Sequence, residues 1–506
     1  MKNKLTCLLL VFVLLFSLFA TACATDDPAS DTPDNPDTPD NPDTPDTPGT
    51  PEDPEDVKIL PNLPAMDFNK AEFHCLHWNL EDFVGGGWIP WEEIDVNQPS
   101  GSTMDDEVFR RNAYVEETYN AVISTEYGMA NTEVPTKIRA AVSSGDNSYQ
   151  MMVNRSIEMS GMWTENLFQD LRSDEMKYLD FEKPWWNQDS LDAFTFGDTT
   201  LFAASDMLIL DKSETGCIYY STSLARDHSL PNYYAMVDEG TWTWEALLEG
   251  AETVVRDLNG DDIMDVNDQW GSAGNVGPIQ YLFVGSGYSF AELDEDGHLY
   301  TDIQNEEQID FLTEMFETMI YSDAHANTDV VSGFSVADKF AANELLFLYY
   351  SVKIGNSFRN MQANYGILPI PKYDKHQEEY YHLVTPDADS IIAVPLSCGD
   401  TDFTSFMLEA ISAESYYTVY PAFYDIVLMN RTVRDPESKE MLKLIFDTRT
   451  YDIGAVHRLG GFYSTLTSHP VAHPKDSNLA SLFASNASVI NSSVNQFNDM
   501  VDDWNS

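Results

Sequence analysis

The chain has 506 residues, more than one small domain needs, and 43% of them are hydrophobic, enough to bury a large core. It carries 84 acidic against 27 basic residues, for a formal charge of −57. So negative a surface repels phosphate backbones, because affinity for nucleic acid comes mainly from lysine and arginine. Nucleic acid is therefore excluded as a partner.

Residues 1–22 have the pattern of a secretion signal. Two lysines precede an apolar run over residues 5–20, which is too short for a good membrane span. The run leads into a motif that resembles the lipobox of bacterial lipoproteins, although its first residue is usually leucine: Ala20-Thr21-Ala22-Cys23. The resemblance implies that Cys23 is lipidated and anchors the mature chain at the extracellular face of a bacterial membrane. The alternative is an ordinary secretory cleavage site beside a chance cysteine.

Residues 23–58 are predicted to be the lipidated cysteine followed by a disordered tether. A Pro-Asp unit repeats every three residues between 32 and 48, and no large apolar side chain follows Cys23 until Val57. Such a segment cannot offset the entropy cost of folding. Proline and repelling charges extend the chain, so the tether would reach about 100 Å at about 3.1 Å per residue.

The remaining cysteines do not suggest a disulfide framework. Cys7 lies in the signal segment, which leaves Cys75, Cys217 and Cys398, widely spaced and odd in number. This spacing favours buried free thiols over a zinc site or a redox pair.

The folded body begins near residue 59, and its first part alternates between strand and helix patterns. In chain order we predict a strand over 73–79, a helix over 105–120, a strand over 122–127, a helix over 136–142 and a strand over 149–153. Alternation of this kind is typical of a parallel α/β sheet.

Short motifs along the body resemble those of family 1 extracellular solute-binding proteins, and both their order and their spacing resemble those of the family. They cover about residues 70–460, and in the second of them Gln150 stands where the family has aspartate. The motifs are Val108-Phe109-Arg110-Arg111-Asn112, Gly145-Asp146-Asn147-Ser148-Tyr149-Gln150, Lys183-Pro184-Trp185-Trp186, Gly240-Thr241-Trp242-Thr243-Trp244, Asp268-Gln269-Trp270-Gly271 and Tyr365-Gly366-Ile367-Leu368-Pro369.

The resemblance implies an α/β, periplasmic-binding-protein-like type II fold, with two lobes joined by crossover strands and a ligand cleft between them. By this analogy one lobe comprises residues 59–205 and 371–420, and the other comprises 206–370 and 421–506. The crossings fall near 201–217 and 364–371, with a further return in the 420s. The family captures a small solute, here of carbohydrate type, and delivers it to the permease subunits of an ABC importer. We expect a monomer that performs no covalent chemistry.

An acidic stretch over residues 257–268 has the spacing of an EF-hand-like calcium loop. Oxygen donors fall at loop positions 1, 3, 5, 7, 9 and 12, where position 7 offers a backbone carbonyl. They are Asp257, Asn259, Asp261, Ile263, Asp265 and Asp268. Position 6 is Asp262 instead of glycine, and position 12 is aspartate instead of glutamate. We predict a structural Ca²⁺ site, with a solvated acidic turn as the alternative.

Candidate ligand contacts follow from strand ends and from the resemblance. Ligands of open α/β sheets bind beyond the carboxyl ends of the strands, and sugar sites combine aromatic faces with polar groups. The strand ends point to Trp78, Asn79, Asn154 and Arg155. The resemblance adds Tyr220, Tyr288 and Tyr349, and the 386–390 turn offers hydroxyl acceptors in Asp387 and Asp389. For each aromatic residue the alternative is a place in the core.

Two other classes of function stay open from the sequence. A polysaccharide-acting hydrolase needs two carboxylates across one cleft, about 5–10 Å apart, and acid abundance alone does not indicate that arrangement. No Gly-x-Ser-x-Gly or His-Glu-x-x-His motif occurs in the chain. A surface glycan-binding adhesin would share the sugar site but have no permease.

Overall fold

The structure is a computed structural model that describes residues 58–78, 93–274, 277–328, 330–358, 361–424, 436–473 and 478–504. Residues Ile59–Ser506 form one compact unit. Four predictions fall outside the described residues: the signal segment, lipidation of Cys23, the tether up to residue 57, and the contact at Asn79. Within the described part, no helix is both long enough and apolar enough to cross a membrane.

The strands form two main sheets and three short two-stranded pairs. In chain order they are β1 (Ala71–Trp78), β2 (Ala121–Met129), β3 (Met151–Asn154), β4 (Thr195–Phe196), β5 (Thr199–Thr200), β6 (Gly216–Tyr220), β7 (Trp270–Gly274), β8 (Glu292–Leu293), β9 (Leu299–Tyr300), β10 (His325–Asn327), β11 (Leu345–Ser351), β12 (Gly366–Leu368), β13 (His382–Leu383), β14 (Ile391–Ala393) and β15 (Arg449–Thr450).

Helices connect most of these strands. They are α1 (Thr103–Tyr119), α2 (Val134–Ser144), α3 (Ser156–Met159), α4 (Gln188–Phe194), α5 (Leu210–Ser213), α6 (Thr222–Asp227), α7 (Tyr233–Asp238), α8 (Trp244–Val254), α9 (Gly277–Gly285), α10 (Glu306–Met315), α11 (Val336–Ala341), α12 (Thr401–Tyr417), α13 (Val419–Ala422), α14 (Pro436–Asp447), α15 (Ile453–Val456), α16 (Phe462–Ala472) and α17 (Leu479–Trp504). Short 3₁₀ turns lie at Trp163–Glu165, Asp174–Met176, Val352–Phe358 and Leu459–Gly461, and a π-helical turn at Phe316–Ile320.

The first sheet has the order β14-β3-β1-β2. Strands β1, β2 and β3 are parallel, and β14 runs antiparallel to β3. The intervening helices end at residues that adopt the left-handed region: Asn120 after α1 (φ 49°) and Gly145 after α2 (φ 68°). The elements predicted from the sequence over 73–153 are confirmed, with bounds that differ by one or two residues.

The second sheet has the order β10-β7-β11-β6-β12. Strands β10, β7 and β11 are parallel to one another, and β6 runs antiparallel to both β11 and β12. Ser351, the last residue of β11, pairs with Gly216, the first residue of β6. The start of β6 therefore lies at the edge where β7, β10 and β11 end.

Two hydrophobic cores accompany the two sheets. The first contains Phe73, Val153 and Phe406 among its members, and the second contains Tyr219, Phe347 and Leu368. In the first core, Glu409 of α12 accepts the indole N–H groups of Trp185 at 3.1 Å and Trp186 at 2.9 Å. These two indoles of the Lys-Pro-Trp-Trp motif thus serve a structural purpose.

The chain passes between the cores at residues that lie next to each other in sequence. We call the change of core between Leu208 and Ile209 the first passage and the change between Leu383 and Val384 the second passage, although α1 also places Met104 and Val108 in the second core. The first passage lies inside the predicted 201–217 range, and the crossing expected near 364–371 stays a prediction, since residues 366–368 still pack in the second core. They do so because β12 pairs with β6 inside the second sheet. The exact lobe bounds stay a prediction.

A buried carboxylate fixes the first passage. Glu93 Oε1 accepts the backbone N–H groups of Ile209 and Leu210, both over 2.6 Å, and its Oε2 lies 3.2 Å from His77 Nε2. Burial alone would raise the pKa of Glu93, but His77 and the two amides outweigh it and hold that pKa below its usual value. Strand β1 is in this way tied to the start of α5.

The C-terminal helix α17 spans both cores. Its first half buries Leu479, Phe483 and Ile490 in the second core, and its last turns bury Phe497 and Val501 in the first. One 26-residue helix therefore contributes side chains to both halves of the body.

Candidate functional site

Polar and aromatic side chains meet where β1 and β3 end, as the strand-end rule predicts. The two strands are parallel, with His77 opposite Val153, so Trp78 and Asn154 lie at the same edge. The Arg155 guanidinium carbon lies 5.7 Å from the centroid of the Trp78 ring. Asn154 Nδ2 donates to the backbone carbonyl of Asn131 over 3.0 Å. Three of the predicted contacts are thus neighbours.

The segment 384–390 runs across this edge and brings two more predicted residues to it. Arg155 Nη1 donates to the carbonyl of Asp387 over 2.5 Å, and Trp78 Nε1 donates to Ser390 Oγ over 3.3 Å. The backbone N–H of Ser156 donates to Asp389 Oδ1 over 2.8 Å. Residues far apart in sequence therefore form one cluster, which we call the first-edge cluster: Trp78, Asn154, Arg155, Asp387, Asp389 and Ser390.

Asp389 is the most unusual member of the first-edge cluster. It is completely buried, and its second oxygen, Oδ2, has no hydrogen-bond partner among the described residues. Burial raises the pKa of Asp389 well above its usual value, and the Ser156 amide only partly opposes this. A buried carboxyl oxygen without a partner is costly, and a ligand hydroxyl would satisfy it.

Asp387 is the accessible carboxylate of the cluster. Its side chain is 43% exposed and forms an ion pair with Arg458 over 3.1 Å. Arg155 pairs with Glu158 over 2.5 Å, so its charge is already compensated within the cluster. Trp78, Asn154, Asp389 and Ser390 are all buried, so Asp387 is the acceptor that the cluster exposes, and the cluster carries no strong net charge.

A second polar group occupies the carboxyl edge of the second sheet. Ser351 Oγ donates to Glu214 Oε2 over 3.1 Å, and Lys353 Nζ donates to Glu214 Oε1. Burial raises the pKa of Glu214 and lowers the pKa of Lys353, and in each case the partner's charge acts in the opposite direction. We call Glu214, Ser351 and Lys353 the second-edge cluster.

Thr385 connects the two clusters. Its Oγ1 lies 3.1 Å from the Tyr281 hydroxyl and 3.3 Å from the carbonyl of Glu214. Asp387 and Asp389 follow it in the same segment and reach the first-edge cluster. The segment 384–390 therefore runs from one sheet edge to the other, directly after the second passage between the cores.

The structure does not bring the three predicted tyrosines to these clusters. Tyr220 is the last residue of β6 and pairs with Phe347, so it lies at the opposite edge of the second sheet from Glu214. Tyr349 is 1% exposed, inside β11, and packs in the second core. Tyr288 lines a separate cavity of about 490 Å³ together with Tyr451 and Asp452.

The sequence did not predict that the second-edge cluster and Tyr281 lie at the candidate site. Lys353 lies two residues after the end of β11. If that strand had been predicted from the sequence, the rule that ligands bind beyond the carboxyl ends of strands would have indicated Lys353. Glu214 precedes β6, and only the antiparallel register with β11 places it at this edge. Nothing in the local sequence around Tyr281 indicates its contact with Thr385.

The acidic loop is closed by its own hydrogen bonds. Asp257 accepts the amides of Gly260 and Asp262 over 2.6 and 2.8 Å, and Asp262 adopts φ 63°. Asp268 is completely buried and accepts the amides of Leu258 and Asp265 over 2.9 and 2.8 Å. In the part of the chain that the structure describes, no three His, Cys, Asp or Glu side chains are arranged to hold a metal ion. Calcium binding at this loop stays a prediction.

Solved structures with a similar fold support the architecture. An ABC substrate-binding protein from Listeria monocytogenes, in complex with cycloalternan, has a TM-score of 0.54 at 13% identity, covering 85% of this chain and 98% of its own. A sugar transporter from Rhizobium etli, in an open conformation, has a TM-score of 0.53 at 13% identity, covering 85% and 99%. A cyclo/maltodextrin-binding protein complexed with maltotetraose has a TM-score of 0.51 at 11% identity, covering 85% and 96%.

This chain has the periplasmic-binding-protein-like fold. The predicted fold class is thereby confirmed. No family model matches the sequence, and no curated protein matches it. At these identities the likeness establishes the fold, while the ligand has to be argued from the clusters themselves.

Proposed function

We propose that the protein captures a mono- or oligosaccharide outside the cell and delivers it to an ABC-type importer, without covalent chemistry. The observation that carries this proposal is the first-edge cluster, above all the buried Asp389 oxygen that has no partner among the described residues. The cluster lies where ligands of open α/β sheets bind, at the carboxyl ends of the strands. Fold neighbours that carry bound sugars, cycloalternan and maltotetraose, support the same ligand class.

The chemistry of the clusters suits a neutral polyhydroxylated ligand. The charged side chains are paired with one another, as in Arg155 with Glu158 and Lys353 with Glu214. A strongly charged solute would need an unpaired partner of opposite sign. Sugar hydroxyls need only acceptors and donors, which Asp387, Asp389 and Ser351 supply.

Capture would proceed by closure of one half of the body onto the other. The clusters lie on different sheets and are joined by the segment 384–390, which follows the passage between Leu383 and Val384. A ligand that contacted both clusters would favour the closed arrangement, because it would bind the closed arrangement more tightly than the open one.

The location and the partners belong to this proposal. The lipobox-like motif ending in Cys23 and the acidic segment 24–58 would hold a monomeric body clear of the membrane, within reach of permease subunits. We also retain a structural Ca²⁺ at 257–268 as a proposal. It requires Asp268 to exchange its amide contacts for the ion.

Thermal unfolding against a panel of mono- and oligosaccharides tests the ligand class. A saturable rise in melting temperature with one class of sugar supports the proposal, since binding stabilises only the folded state. The carbohydrate assignment is contradicted if no sugar raises the melting temperature while a peptide or another polar solute does.

A further inference from the structure

A cavity of about 450 Å³ lies along the outer edge of the second sheet, beside β10. Its lining is mainly apolar and aromatic, and it includes Met264, Trp270, Ile320, Tyr321, His325 and Val331. Volume and lining both fall in the range of small-molecule sites, which combine apolar walls with a few polar groups.

The cavity is separate from the clusters described above. It extends to Trp270, the first residue of β7, and to Ile320, which precedes β10. Strand β7 is parallel to β11, and the second-edge cluster lies at the end of β11. The cavity also reaches Asn327, the last residue of β10, and Val331 beyond it, so it runs along the whole of this edge strand. None of its lining residues belongs to the first-edge or the second-edge cluster.

His325 supplies a polar group that the protein leaves unused. The residue is 6% exposed, and its Nδ1 lies 3.0 Å from Ser272 Oγ. Its Nε2 is buried and has no hydrogen-bond partner among the residues that the structure describes. Burial lowers the pKa of His325 to about 4, so the ring is neutral at pH 7. A neutral imidazole bonded through one nitrogen presents the other as either donor or acceptor.

An unpartnered buried nitrogen is unfavourable in the empty cavity. The cost of leaving such a group unsatisfied exceeds the net gain from an ordinary hydrogen bond. A molecule that fills the apolar space and reaches Nε2 removes this cost and also buries its own apolar surface.

We propose that this cavity is a second binding site, for a small neutral molecule with an apolar ring and one hydrogen-bonding group directed at His325 Nε2. The Trp270 and Tyr321 side chains offer aromatic surface for the ring, and Met264, Ile320 and Val331 supply aliphatic contacts. Asp323 at the rim disfavours an anion. The lining is too rich in aliphatic side chains for a free sugar, so this site differs from the proposed sugar site in ligand class.

The probe for the test is 4-bromophenol, because bromine locates it by anomalous scattering and its hydroxyl can bond to the imidazole. Titration of the purified full-length protein should show saturable binding. A crystal soaked with the probe should place bromine in the cavity and the hydroxyl within hydrogen-bond distance of His325 Nε2.

Two variants separate ligand contact from a structural role. Val331→Trp fills the cavity from its partly exposed rim and should abolish the binding. His325→Phe keeps a ring but removes both nitrogens, including the Nδ1 that lies 3.0 Å from Ser272 Oγ. It should weaken binding about tenfold while changing the stability of the ligand-free protein by no more than about one buried hydrogen bond. His376→Phe, at an exposed position outside the cavity, is the matched control and should change neither.

Several outcomes would overturn the inference. The soaked crystal could show only an ordered water in the cavity, or the probe could bind at crystal concentration only. Methyl glucoside could bind in the cavity in place of the phenol, or Val331→Trp could bind the phenol as tightly as the wild type does. Sugar titrations of the same variants keep the two sites apart. A loss of phenol binding with normal sugar binding concerns this cavity alone.

Discussion

The backbone N–H of Ser156 donates to Asp389 Oδ1 over 2.8 Å, between residues that are 233 positions apart in sequence. This bond joins the end of β3 to the segment 384–390 and sets the position of the Asp389 carboxyl group. One oxygen of this carboxyl group therefore holds the segment, while Oδ2 has no hydrogen-bond partner among the described residues.

Asp389→Asn should weaken sugar binding and leave the fold intact. The amide keeps the shape and one oxygen for the Ser156 N–H, but an NH₂ group, which cannot accept a hydrogen bond, replaces the second oxygen. We expect the dissociation constant, followed by tryptophan fluorescence, to rise about tenfold, as for one lost ligand hydrogen bond. Asp198→Asn, in an exposed hairpin turn, is the control. Unchanged affinity in Asp389→Asn would remove Asp389 from the site.

Glu409 should make the protein less stable as the pH rises from about 5 to about 8. Burial raises the pKa of Glu409 from 4.5 to about 7, although two indoles donate to it. Between these values the unfolded chain releases the proton that the folded protein retains, so the free energy of unfolding falls by up to about 3 kcal/mol. Below pH 4.5 and above about pH 7, Glu409 causes no further change in the free energy of unfolding.

Urea unfolding at pH 5 and pH 8 measures this effect. Glu409→Gln cannot ionise, so the difference in stability between the two pH values should shrink relative to the wild type. The variant should also be less stable at pH 5, because one indole N–H then faces an amide donor. An unchanged pH difference in Glu409→Gln would contradict the assignment.

Phe497→Ala should destabilise the protein by about 3–5 kcal/mol, as for other buried phenylalanines. The Phe497 ring lies 4.4 Å from the Trp163 ring and 5.2 Å from the His457 ring, centroid to centroid. Removing it leaves a cavity where α17 meets the first core. Val489→Ala on the same helix, 48% exposed, should change stability by less than about 0.5 kcal/mol. Equal effects of the two substitutions in chemical denaturation would show that α17 does not stabilise the first core.

The calcium proposal predicts that a chelator lowers the melting temperature. A hundredfold excess of Ca²⁺ over its dissociation constant stabilises the folded state by about 2.7 kcal/mol. Asp261→Asn should remove the effect of the chelator, and Asp296→Asn, at an exposed turn outside the loop, should retain it. Identical melting curves with and without the chelator would leave 257–268 as an acidic turn closed by its own hydrogen bonds.

The regular part of the fold could be predicted because its signals are local. The alternation of apolar residues in 73–78 and the helical spacing in 105–119 each describe one element, and Gly145 marks the end of α2. The order of β14 beside β3 has no local signal, since it depends on a return of the chain from more than 200 residues away. The position of the second passage, between Leu383 and Val384, has no local signal either. It follows the pairing of β12 with β6, which keeps residues 366–368 with the second core.

The candidate site could be predicted only in part for the same reason. Trp78, Asn154 and Arg155 follow strands that the sequence reveals, and the structure brings them together. Glu214 and Lys353 form one ion pair from residues 139 positions apart, which spacing along the chain cannot show. Tyr220 matched a family motif, but strand register places it at the far edge of its sheet.

Calorimetric titration of the full-length protein with the sugar panel tests the central claim most directly. We expect one-site, saturable binding of at least one mono- or oligosaccharide, weakened by Asp389→Asn and unaffected by Asp198→Asn. Absence of binding heat for every sugar at several temperatures, with saturable binding of a peptide or another polar solute, would contradict sugar capture while leaving the fold assignment in place.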